Sequence, residues 1–143
     1  MTNTIDILTY IMGGHGSFTL VNASSGAYIT YRVRWSKDHK MAFVSFLSGP
    51  DTYSYLGVLN FTYDDQGDLF VDLRLTAKSK ATWTAQSARG MAWLLKQCCN
   101  TRELPSTMKF QHSGQCCKCG RELTTPESIA RGIGPICATR MQA

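Results

Sequence analysis

The sequence predicts an α+β fold: a small antiparallel β-sheet covered by one helix, then a C-terminal module built on cysteines. Three observations predict it. Over the first eighty residues, short segments alternate apolar and polar at period two, with turn compositions between them. A segment with apolar residues at spacings of three and four follows. Beyond it, the pair Cys116-x-x-Cys119 is answered by Cys137. The chain of 143 residues suits one domain, or a small domain with an appendage. We divide it into 1–105, sheet plus packing helix, and 106–143, the cysteine module.

The elements follow in order. "GSFTLVN" and "GAYITYRVRW" alternate and are split by the turn "ASSG". In the second, Ala27, Ile29, Tyr31, Val33 and Trp35 fall on one face, and Tyr28, Thr30, Arg32 and Arg34 on the other. "SKDH" turns the chain into "KMAFVSFLS", which ends at Gly49-Pro50-Asp51. "YSYLGVLNFTY" and "DLFVDLRL" complete a meander of four or five strands, one face of which needs cover. The cover is expected from "TWTAQSARGMAWLLKQCC". Ala85, Ala88, Ala92, Leu95 and Cys99 form its stripe, Met91 and Cys98 flank it, and Thr82 or Thr84 caps it. Gly90 weakens the helix, and Asn100 and Pro105 end it.

Several function classes are excluded or disfavoured. No apolar run reaches the roughly 20 residues needed to span a bilayer, so no membrane role is expected. The N-terminal "MTNTIDILTYIMGG" has no basic residue and carries Asp6 in its apolar stretch, unlike a signal peptide. A reducing cytoplasm is therefore expected, where clustered cysteines point to metal. "GGHGS" at 13–17 lacks the Lys-Ser/Thr ending of a phosphate-binding P-loop and reads as a flexible lead-in to the first strand. His15 and His39 lie in turns without partnered acids, and no serine sits in a nucleophile elbow.

Cys116-x-x-Cys119 followed by Gly120 has the form of a zinc knuckle, in which a tight turn aims both thiolates at one metal. Thr125 and Pro126 open a short helix that Gly132 closes. Pro135 then places Cys137 in the first turn of a terminal helix, where backbone N–H groups favour a thiolate. The expected architecture here is treble-clef-like, with Zn²⁺ as cofactor. A closed structural site takes four protein ligands. The candidates for the fourth are His112, Cys117, Cys98 and Cys99, and His112 is favoured. Cys117 sits between two ligands and should point away, while Cys98 and Cys99 suit packing at a helix end. Arg140, three after Cys137, cannot bind metal.

The stretch "HSGQCCKCGRELTTPESIARGIGPIC" resembles a family of small, largely uncharacterised proteins and domains of phages and bacteria. The shared motif is His-x-Gly-x-Cys-x-x-Cys-Gly-Arg-x-Leu-Thr-x-Pro-x-Ser-Ile, then Gly-x-Gly-Pro-x-Cys. Upstream, "FTLVNASSGAYITYRVR" and "VSFLSGPDTYSYLG" look like the sheet region that often precedes this module. The resemblance implies a phage or prophage origin and supports His112 as a ligand. It implies no biochemical activity.

An open catalytic zinc would need a water position and a general acid. The His-x-Glu of zinc deaminases is missing, and Gln115 stands where their proline precedes the Cys pair. Binding is thus expected, not catalysis, and no small-molecule substrate. The net charge of +5 permits an anionic partner. From residue 101 on, six Lys/Arg face three acids. Arg32, Arg34 and Tyr28 on one strand face, with Lys118 and Arg121 on the knuckle, combine cations with an aromatic ring, as single-strand nucleic-acid binders do. The alternative is a stoichiometric inhibitor of a host machine, such as a defence (anti-CRISPR) target, a nuclease or RNA polymerase. Tyr53, Tyr55 and Tyr63 near turns would serve that contact.

Overall fold

A computed structural model describes residues 1–123, 129–130 and 132–133. Its elements are α1 (Thr4–Ile11), β1 (Ser17–Asn22), β2 (Tyr28–Trp35), β3 (Ala42–Leu47), β4 (Tyr53–Tyr63), β5 (Leu69–Arg74), α2 (Gln86–Asn100) and β6 (Met108–His112). All six strands form one antiparallel sheet in the order β5-β4-β3-β2-β1-β6. The first five make the expected meander. The sixth is new: β6 lies beyond residue 105 and pairs along β1 from Phe18↔His112 to Asn22↔Met108. The sheet therefore draws strands from both sides of the 105/106 division.

Alternation decides which face is buried. Phe18 and Leu20 of β1 stand opposite Tyr31 and Ile29 of β2, Val33 opposite Val44, and Ala42 opposite Leu59. Both helices cover this side. Burying one such large apolar side chain contributes about 1.5–3 kcal/mol, so the one-sided core accounts for the strong period-two pattern. Between β3 and β4 the register shifts at Val44/Ser45, and Leu56 and Gly57 of β4 are both buried. That is a bulge, and beyond it the outward residues change parity.

The N-terminal helix α1 has no counterpart in the sequence-based expectation, so one sheet-covering helix becomes a main helix plus a short one. Eight residues give too short a window for a clear 3.6-residue period. Its start is nonetheless coded locally: the Asn3 side chain accepts hydrogen bonds from Ile5 N–H (2.9 Å) and Asp6 N–H (3.1 Å). Thr4, Ile7, Tyr10 and Ile11 then face the core. Tyr10 meets Phe110 edge-on, with ring centroids 5.9 Å apart. The helix is also tied to the far end of α2, where Thr4 N–H donates to the Arg102 carbonyl and Leu104 N–H to the Thr2 carbonyl.

The main helix corrects two further expectations. Its N-cap is Ala85, which offers no side-chain bond; the Thr82 and Thr84 hydroxyls bond each other instead. Its buried stripe is Ser87, Ala88, Met91, Leu94 and Leu95, so Met91 is central and Ala92 lies to the side. Gly90 has a packing reason. A Cβ there would stand 2.7 Å from the Tyr31 hydroxyl, which donates to the Ser87 carbonyl across 2.7 Å. Glycine lets the helix approach the sheet that closely.

Candidate functional site

The knuckle grows directly out of β6. Ser113 N–H donates to the Ser17 carbonyl, and Gln115 pairs with Glu122 in an isolated antiparallel bridge. Within that hairpin, Cys116 N–H donates to the Arg121 carbonyl (2.8 Å) and Gly120 N–H to the Cys116 carbonyl (2.9 Å). Lys118 N–H points at Cys116 Sγ, 3.4 Å away. Gly120 takes φ +80°, the left-handed conformation that the turn requires. N–H groups directed at sulfur stabilise a thiolate, so the turn is pre-shaped around Cys116. Cys116 is buried and Cys119 exposed.

Cys117 packs against the loop after α1. Its Sγ packs at Gly13, where a Cβ would come within 2.6 Å of both that sulfur and the Cys117 carbonyl oxygen. His15 N–H donates to the same carbonyl (2.6 Å), and Cys117 N–H donates to the Gly132 carbonyl (2.9 Å). The "GGHGS" segment is thus a packed seat for the knuckle, not a flexible lead-in: Gly13, Gly14 and Gly16 are all buried. It also brings the His15 ring beside Gly120, a proximity with no signal in the sequence.

His112 ends β6 beside Tyr10, with ring centroids 5.3 Å apart. Both ring nitrogens have backbone partners. Nδ1 accepts from Gly114 N–H (3.0 Å), so Nε2 carries the proton and donates it to the Ile129 carbonyl. Cys137, Thr125, Pro126 and Pro135 lie outside the described residues, as does the helix expected around Cys137. Among the described residues no group of three or more His, Cys, Asp or Glu side chains is arranged to hold a metal. Cys98 is half-buried against the core, and Cys99 Sγ lies 3.9 Å from the Val71 carbonyl oxygen. Burial, helped by neighbouring Cys99, pushes the Cys98 thiol up to about 12.

The second face of the sheet is uncovered, and none of its strand residues is fully buried. Cross-strand register sets its residues in rows. One row runs Arg34–Phe43–Val58–Arg74 and the next Ser17–Arg32–Ser45–Tyr55. Lys109, Val21 and Tyr28 form a third toward the opposite end. The Arg32 guanidinium lies over the Tyr53 ring, 4.1 Å from its centroid. Phe43 and Tyr55 meet at 6.3 Å, edge to face. Arg34 Nη1 donates to the Gly16 (3.1 Å) and Val33 (2.9 Å) carbonyls. Burial, and after it the charge of Arg32, lowers the Arg34 pKa. Among the described residues no carboxylate pairs with Arg32 or Arg34.

The structure therefore places Arg32 and Arg34 together as expected, with Tyr28 farther off at the hairpin end and 70% exposed. Lys118 and Arg121 are exposed on the knuckle. Phe43, Arg74 and Lys109 join this face as additions that sequence reasoning missed, and Tyr53 and Tyr55, expected as contacts for a protein partner, stand on it as well. For Phe43 the signal is the alternation of "AFVSFL", whereas the bulge obscures Tyr53 and Tyr55.

Fold and site together define an α+β protein with a one-sided, six-stranded sheet, one face open, that continues into a cysteine knuckle. Residues 107–142 match a family of unknown function (DUF6011), a stretch that begins at β6 and includes the whole knuckle. No curated protein and no solved structure matches the chain. No helix among the described residues is long and apolar enough to cross a membrane.

Proposed function

We propose that this is a phage-type, non-enzymatic protein of the host cytoplasm that binds single-stranded nucleic acid on the open sheet face, next to a zinc-closed knuckle. The observation that carries the reading is Arg32 stacked on Tyr53, with Arg34 one row away and no carboxylate paired to either among the described residues. Uncompensated guanidinium groups suit phosphates, and exposed rings beside them suit unstacked bases. Along the strands of this face Arg32, Arg34, Arg74 and Lys109 stand against one acid, Asp72. Because Ser113 bonds to Ser17, and Ser17 pairs with Arg32, the knuckle adjoins the Arg32 end and can add Lys118 and Arg121 to the same contact.

Zn²⁺ would be held by Cys116, Cys119 and Cys137 with His112 as fourth ligand, closing the site and anchoring the knuckle. The N–H directed at Cys116 Sγ and the turn at Gly120 fit such a site. For His112 to bind, Nδ1 would exchange the Gly114 N–H for the metal. Nε2–H would keep the Ile129 carbonyl, the outer bond that zinc-bound histidines ordinarily make. A closed set of four leaves no position for water, which favours anchoring over catalysis.

Fluorescence anisotropy with a single-stranded oligonucleotide at two salt concentrations tests the binding. Arg32→Ala should weaken it and flatten the log–log salt slope by about 0.7 for each phosphate no longer neutralised. Salt-insensitive binding, or none at low salt, overturns the reading. Native mass spectrometry should find one zinc per chain, and His112→Ala should weaken its retention; unchanged retention would mean that another residue is the fourth ligand. A host protein complex is the second reading, favoured by the large exposed side chains Tyr63, Phe70 and Trp83.

A further inference from the structure

On the helical side of the sheet, α2 and the β1–β2 hairpin leave a groove of about 570 Å³ between them. That lies within the range of about 300–1,000 Å³ usual for small-ligand sites. Its floor is apolar, with Leu20 and Ile29, and its α2 wall carries Gln86, Arg89 and Trp93 at helical spacing. The β1–β2 turn forms the far rim, where Tyr28 lines the groove while its place in the alternation of β2 sets its side chain on the open face. Gly90 lies between those wall residues and adds no side chain, so the floor stays open beneath them.

Two properties of this groove call for a ligand of particular chemistry. Arg89 is the one charged residue among those lining it, and no described residue partners its guanidinium. The Trp93 ring stacks on no other ring among the described residues, and its indole N–H and the Gln86 amide have no described partner. A lone cation beside an unused aromatic face, an apolar floor and an amide suits a planar heterocycle bearing one anionic group. Inorganic phosphate would use Arg89 and leave the floor and the Trp93 ring wet. A purely apolar ligand would cover Arg89 and leave its charge unpaired, at a cost.

From this we infer that the groove is a binding site for a nucleoside monophosphate. The base lies against the Trp93 ring over Ile29, Gln86 addresses its polar edge, and Arg89 takes the phosphate through paired N–H donors. The site is on the opposite side of the sheet from Arg32 and Tyr53 and does not depend on nucleic-acid binding there.

Isothermal titration of the full chain with adenosine monophosphate, adenosine and inorganic phosphate separates the contributions. The monophosphate should bind one to one and about tenfold or more tighter than either fragment, as charge-assisted and stacking contacts combine. Arg89→Ala, at an exposed position, should remove the preference over adenosine, while Trp93→Leu weakens both ligands. Lys96→Ala, exposed on the same helix, should change neither. Arg32→Ala should leave the monophosphate affinity intact while weakening the oligonucleotide, so failure of either site is read separately. The assignment is overturned if the monophosphate does not saturate at millimolar concentration. It is also overturned if Arg89→Ala, shown to be folded by circular dichroism, binds it as tightly as the parent.

Discussion

At the scale of single residues, the sharpest constraint joins Gly13 to Cys117. Any side chain at 13 would press on the Cys117 carbonyl and sulfur at 2.6 Å, and a backbone group cannot step aside cheaply. Gly13→Ala should therefore lower unfolding stability by about 1–3 kcal/mol, the usual cost of overpacking, which urea denaturation would measure. A buried phenol and a half-buried thiol predict the alkaline limit. The Cys98 thiol rises from 9.0 to about 12, and burial raises the Tyr31 phenol above its ordinary 10.0. Both hold their proton longer folded than unfolded. Their contribution is complete below pH 9 and declines above it as the unfolded chain loses protons first. Each group lowers stability by at most about 1.4 kcal/mol per pH unit within its window. Thermal melts from pH 8 to 11 should show this fall, and Cys98→Ala should remove the part that begins near pH 9.

At the scale of elements, the contact between α2 and β2 is set by Gly90 and Tyr31. Gly90→Ala alone should destabilise by about 1–3 kcal/mol through the clash with the Tyr31 hydroxyl. Tyr31→Phe alone removes the bond to the Ser87 carbonyl and should cost about 1 kcal/mol. Combined, the two should cost less than their sum, because removing the hydroxyl removes the clash; a double-mutant cycle in denaturant reads the coupling. The elements also show where sequence reasoning works. The strands β1 to β5 are visible in the sequence because a one-sided core imposes period two. The stripe of α2 is harder to place, since alanines at 85, 88 and 92 mimic an apolar seam whose packing centres on Met91 and Leu94. In α1, the Asn3 cap is a signal, but eight residues give it no pattern to support.

At the scale of the molecule, the N-terminal segment and the cysteine hairpin meet beside β6. The knuckle rests on the loop after α1, and β6 closes the sheet beside β1. If zinc anchors the knuckle, chelation should open it before the sheet. Hydrogen exchange would then show reduced protection at the hydrogen-bonded amides of Cys116, Cys117, Gly120 and Leu123, and retained protection across β2 to β4. Simultaneous opening of the sheet would instead make the knuckle part of the global folding unit.

The sequence by itself determined the α+β class, a meander of four or five strands, the covering helix and the Cys116–Gly120 turn, because each is written in contacts between near neighbours. Period two, period 3.6 and the glycine of a tight turn are local patterns. Only the tertiary structure decided that β6 joins the sheet, that "GGHGS" seats Cys117, and that Arg32, Tyr53, Phe43 and Arg74 form one exposed surface. Those pairings link residues up to about a hundred positions apart, and a strand's register, not its composition, selects which of them meet.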